Sequence, residues 1–190
     1  MTWYTFFKSV HVLCAVIWVG GAFVSQFYAR LALASPDRSR QATFAKDVEW
    51  IGLRIFTTSS LLVFLSGVAA TQNAHWPWGS NWITFGLIVF GASFVSGAGF
   101  LGPESGRLSK LIAAEGPESP AVTARIRRIL LVSRIELVLL IAVIWNMVVK
   151  PVGQPGWFWG ALAVTAVAIA VVVATYLRGA PTVAGEPATE

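Results

Sequence analysis

Five apolar runs of about twenty residues, each long enough to cross a hydrocarbon layer, constrain this chain more than any other feature. They cover residues 6–28, 51–71, 81–101, 129–149 and 157–177. No water reaches backbone N–H and C=O groups inside a bilayer, so each run must close its hydrogen bonds within itself as a helix. The fold class is therefore all-α, a polytopic membrane protein whose bundle of about five transmembrane helices fills residues 1–178 as one domain. The second run is the least regular, because it holds Arg54 and the hydroxyls of Thr57, Thr58, Ser59 and Ser60. Composition agrees, with 56% hydrophobic and only 12% charged residues, about half the charge of an ordinary soluble domain. Lipid rather than water must clothe most of the surface.

The net charge of +5 does not point to nucleic acid, because the basic residues sit in short segments between apolar runs and form no basic face with interleaved aromatics. They alternate instead. The first connection carries Arg30, Arg38, Arg40 and Lys46, and the third carries Arg107, Lys110, Arg125, Arg127 and Arg128. The second has none and the fourth only Lys150. The positive-inside rule then predicts an external N-terminus and a cytoplasmic end at Arg178. Trp76, Trp78, Trp82, Trp157 and Trp159 fit an outer aromatic belt. The first run is too long for a signal peptide and lacks a basic residue before Lys8, so it is expected to remain as a span. Ser119-Pro120 reads as a helix start, with Ser as N-cap and Pro in the first turn, from which one helix runs through Val149. Residues 179–190, rich in Ala, Pro, Gly and Glu, are expected to be disordered. Gly21–Ser25 and Ala92–Ser96 form a faint internal echo, which suggests two helical hairpins related by a parallel repeat.

Ionisable groups inside spans are costly and therefore candidates for function. Lys8, His11, Ala15, Trp18 and Ala22 recur at helical spacing and share one face of the first helix. A small residue between an imidazole and an indole leaves room for something flat. His11 suits a haem iron, although a lone membrane histidine is more often one bonded to a neighbouring helix, with Trp18 as packing. His75 and Met147 are the candidate second axial ligands, both expected at the outer end, although His75 also reads as an exposed loop residue. Copper fits less well, since Cu(I) wants several soft ligands and the chain offers Met1, Cys14 and Met147. Cys14 alone excludes an internal disulfide.

A second polar group lies toward the basic end. Glu49 and Arg54 flank the start of the second span, while Arg134 and Glu136 lie inside the fourth. Residues two apart on a helix face different ways, so Arg54 is expected to pair with Glu136, and Glu49 or Glu104 with Arg134. Such pairs either fix helix register or bind an anionic group. Gly86, Gly91, Gly97 and Gly99 read as close-packing positions. No catalytic motif for soluble substrates is present, and catalytic residues stay unassigned.

Lys8-Ser9-Val10-His11 followed by Trp18-Val19-Gly20-Gly21 resembles the opening helix of the CopD-like and HemJ-like membrane families. Glu49-Trp50-Ile51-Gly52, Leu101-Gly102-Pro103-Glu104-Ser105 and the Arg128–Arg134 stretch resemble a bacterial family of predicted integral membrane proteins with no assigned function, over residues 1–151. The HemJ-like resemblance implies b-type haem on His11 and a quinone-linked redox role in the bacterial inner membrane; the CopD-like one implies copper transport. The leading expectation is a membrane redox component binding haem or a quinone. Its rivals are a non-enzymatic subunit or scaffold, assembled with copies of itself or with other membrane subunits, and a small transporter.

Overall fold

The computed structural model describes residues 2–37, 39–152 and 155–178. Met1, Arg38 and the segment 179–190, where a disordered tail was expected, lie outside the described residues. Among those described, every regular element is helical, and five helices are long and apolar enough to cross a membrane. They are α1 (Trp3–Ala34), α2 (Ser39–Ile51) continuing into α3 (Thr57–Asn73), α4 (Asn81–Ser96) continuing into α5 (Gly102–Glu115), α6 (Pro120–Val149) and α7 (Pro155–Arg178).

Local chemistry sets the ends. Thr2 caps α1 by accepting a hydrogen bond from the Thr5 N–H at 3.2 Å. Ser119 caps α6 by accepting from the Ala121 N–H, with Pro120 in the first turn where its missing N–H costs nothing. That helix runs unbroken to Val149, as its sequence predicts.

The two composite rods, Ser39–Asn73 and Asn81–Glu115, each hold 35 residues, about 50 Å at 1.5 Å per residue. The hydrocarbon layer takes up about 30 Å of that, so both rods project well beyond it. Each also carries one π-helical turn, Gly52–Phe56 and Gly97–Leu101. The second has a visible cause. Pro103 has no N–H to give, and its ring would strike the carbonyl four residues back in an α-helix; widening the turn relieves that clash. In the first, the Thr57 N–H and hydroxyl both donate to the Gly52 carbonyl five residues back, the hydroxyl at 3.0 Å.

Two antiparallel hairpins result, α1 against α3 and α4 against α6, with α7 packed on α6. This matches the hairpin part of the expected repeat. The π-turns do not obey it, because one lies in the returning rod of the first hairpin and the other in the outgoing rod of the second.

The most deeply buried apolar cluster sits at the basic end. It joins Ala29 and Ala32 of α1, Phe44 and Ala45 of α2, Leu108 of α5, and Val122, Ile126, Ile129 and Leu130 of α6. At the opposite, tryptophan-rich end the helices keep apolar side chains outward, among them Leu13, Ile17, Leu65 and Ile88.

Candidate functional site

At the tryptophan-rich end the two hairpins part and leave a cleft of about 310 Å³. Lys8, His11, Ala15 and Trp18 of α1 line it, with Val63, Phe64 and Gly67 of α3, Gly86 and Phe90 of α4, and Leu140, Val143 and Met147 of α6. Its floor is aromatic. Phe90 stacks on Phe64 at 4.8 Å between centroids and meets buried Trp18 edge-on at 6.4 Å. At its mouth the Lys150 ammonium stands over the rings of Trp76 and Trp82, at 5.1 and 5.0 Å. Lys150 holds that position through a left-handed backbone (φ 45°) that ends α6, with its N–H on the Asn146 carbonyl. Asn146 is buried and donates from Nδ2 to the Trp82 carbonyl at 2.8 Å, tying α6 to α4. It is a structural residue, and Met147 is the one that reaches the cleft.

His11 is the chemical centre of this space. Its Nδ1 lies 2.8 Å from the Val63 carbonyl. A carbonyl can only accept, so Nδ1 carries a proton and donates it, and Nε2 becomes the nitrogen with the available lone pair when the ring is neutral. No described residue bonds Nε2. Gly67 permits this packing: a Cβ there would lie 2.9 Å from His11 Nδ1. Gly86 plays the same part for Met147, whose methyl would meet a Cβ at that position. Trp82, also in the lining, keeps its Nε1–H buried with no partner.

The donor set fits a bound haem in one respect that matters. A metal-ligating histidine usually gives its other N–H to a carbonyl or carboxylate, which sets its tautomer and ring plane, and His11 does so. Met147 supplies a thioether to the same cleft, and Lys8 and Lys150 supply the cationic rim that carboxylates need. No group of three or more His, Cys, Asp or Glu converges among the described residues.

Several expectations change. His75 does not line the cleft; it is exposed in the turn after α3 with φ 54°, so its candidacy as second ligand falls. The expected Arg54–Glu136 pair is absent: Arg54 is exposed on the π-turn with no carboxylate in ion-pair range among the described residues, whereas Glu136 stands beside Ser93 of α4. Arg134 donates from Nε to Gln26 Oε1 at 3.3 Å rather than to Glu49 or Glu104, and Gln26 passes its own Nε2–H to Ser133 at 2.8 Å. Glu49 accepts from Ser109. Glu104 pairs with Arg107 at 2.7 Å and Arg125 at 3.6 Å. Depth along the bundle was legible and the direction around each helix was not. Of the glycines read as packing positions, only Gly86 has such a neighbour, since nothing lies within 4 Å of a Cβ at Gly91, Gly97 or Gly99. Gly67, the Val63 carbonyl, Trp82 and Lys150 were not singled out for this site. Only Gly67, a glycine near the end of the second run, left a trace in the sequence.

The model of a family described as predicted integral membrane protein (DUF2269) matches residues 5–151, which takes in the cleft lining from His11 to Lys150. No curated protein and no solved structure matches the chain.

Proposed function

The chain belongs to this family of predicted integral membrane proteins, and from that premise we propose that it is a membrane redox component holding b-type haem in the cleft, with His11 as iron ligand. The observation that carries this reading is the committed Nδ1–H of His11, which leaves Nε2 unpartnered in an apolar, aromatic-floored space. When bound, haem supplies one-electron chemistry tuned by its axial ligands and surroundings. The chain's own residues do the rest. The Val63 carbonyl orients the imidazole, Gly67 lets it approach, and Met147 offers a second donor. Trp18, Phe90 and Phe64 close the floor against water, and Lys8 and Lys150 give the rim its positive charge.

A second reading, a quinone head group, is favoured by the unpartnered Trp82 Nε1–H. A quinone carbonyl accepts from such a donor, and a quinol hydroxyl donates to His11 Nε2. Extraction of the protein purified from membranes separates the two: haem appears as the pyridine haemochrome, a quinone in the lipid extract by mass spectrometry. Recovery of neither overturns both and leaves the scaffold reading. In the orientation we assign, the tryptophan-rich end is external and the basic end cytoplasmic, as in the inner membrane of a bacterium. A reporter after Arg178 then reads cytoplasmic and one at Ser80 external; the reverse pattern contradicts it.

A further inference from the structure

The fourth span carries a carboxyl that neither the cleft nor the basic end uses. Glu136 lies within α6, and the antiparallel register of α4 and α6, pinned by the bond from Asn146 to the Trp82 carbonyl, sets it level with Ser93. The same register sets Ser133 level with Ser96. Ser93 is 3% exposed and stands beside Glu136, while the Ser96 hydroxyl oxygen is buried without a hydrogen-bond partner among the described residues. Unpartnered buried hydroxyls are uncommon, and where they occur the missing partner is often an ordered water or a proton-carrying group.

Among the described residues no positive charge faces Glu136. α4 has no ionisable residue, and α7 carries only Tyr176 and Arg178, at its far end. On α1, which meets this level of α6 through Gln26, the ionisable side chains sit at the two ends: Tyr4, Lys8, His11 and Cys14 toward the tryptophans, Tyr28 and Arg30 toward the basic bundle. On α5, Glu104 is held by Arg107 and Arg125 at the basic end, and Lys110 and Glu115 lie farther out. Arg134, two residues away on α6, turns to Gln26. A carboxylate placed there has no counter-ion among the described residues, and charge alone in a span is expensive.

We infer that Glu136, with Ser93 and Ser96, forms a proton-exchange site inside the bundle: the carboxylate takes a proton from water reaching it past the two hydroxyls and returns it by the same route. The serines lie one helical turn apart on α4, and the second adjoins the π-turn at Gly97–Leu101, so the row of hydroxyls leads from Glu136 toward the basic end. This inference is independent of what the cleft holds.

Dicyclohexylcarbodiimide tests it, because this lipid-soluble reagent reacts with carboxyls in their acid form. Wild-type protein in membranes is treated across a pH series, digested, and the label mapped by mass spectrometry, with Glu136→Gln as the control for assignment. The expected result is a label at Glu136 whose rate falls about tenfold for each pH unit beyond its titration point, and whose pH profile shifts in a Ser93→Ala, Ser96→Ala double variant. No label at Glu136 in acid buffer overturns the proposal, since the carboxyl is then a permanently compensated anion. A label that does not change with pH overturns it too, because the carboxyl is then a locked neutral acid that exchanges nothing. Both readouts come from wild-type protein, so they stand even where Glu136→Gln fails to fold.

Discussion

At the basic end, the last turns of α1 with α2, α5 and the start of α6 bury Phe44, Leu108, Val122 and Ile126 in one apolar cluster. At the tryptophan-rich end, α1, α3, α4 and α6 surround a cleft and turn Leu13, Ile17 and Leu65 outward. The same helices α1 and α6 run through both regions, so the contrast does not come from helix type. It comes from the solvent. Where the rods leave the bilayer, burying apolar surface is favourable by about 25 cal/mol per Å², and a core forms as in a soluble bundle. Inside lipid that gradient disappears, because the tails are as apolar as the side chains. Contact there rests on small residues and polar bonds: Gly67 under His11, Gly86 under Met147, Asn146 on the Trp82 carbonyl. With no hydrophobic pressure to close it, a cleft can persist.

That contrast breaks if Ile126→Ala is mild. Ile126 is 1% exposed at the centre of the basic-end cluster, and its truncation is expected to destabilise by about 2–5 kcal/mol, read as a lowered thermal midpoint in detergent. Gly67→Ala sharpens the account of the other end. A new Cβ 2.9 Å from His11 Nδ1 must move the ring off the Val63 carbonyl, at about 1–3 kcal/mol of overpacking strain. Gly91→Ala, with nothing within 4 Å, is the matched change expected to be neutral in the same melt. Smallest is Leu13→Ala at a side chain 63% exposed and outside the cleft lining, expected to stay within about 0.5 kcal/mol. A loss there as large as that of Ile126→Ala would mean that Leu13 is packed in protein and that the two ends do not differ.

Span count, the capped start of α6 at Ser119-Pro120 and the shared face of Lys8, His11, Ala15 and Trp18 were all legible in the sequence, because each depends on periodicity or local chemistry along one helix. The features that were not legible depend on how helices rotate against one another. Arg54 and Glu136 were matched by depth, yet one faces outward from a π-turn and the other faces α4. The π-turn that Pro103 imposes adds a residue to one rod and so changes the azimuth of every side chain beyond it. His75 was placed at the correct end and off the cleft by a left-handed turn that its residue type does not announce. The His11 partner is a backbone carbonyl, which every residue has and no sequence singles out.

The most direct test of the central claim, that the cleft holds haem through His11, is the absorption spectrum of wild-type protein and the His11→Ala variant, each made with haem available and purified side by side. The account predicts a Soret band in the wild type that His11→Ala abolishes, that Met147→Leu shifts if the thioether completes the ligation, and that His75→Ala leaves unchanged. A colourless wild type, or a Soret band that survives in His11→Ala, would contradict it.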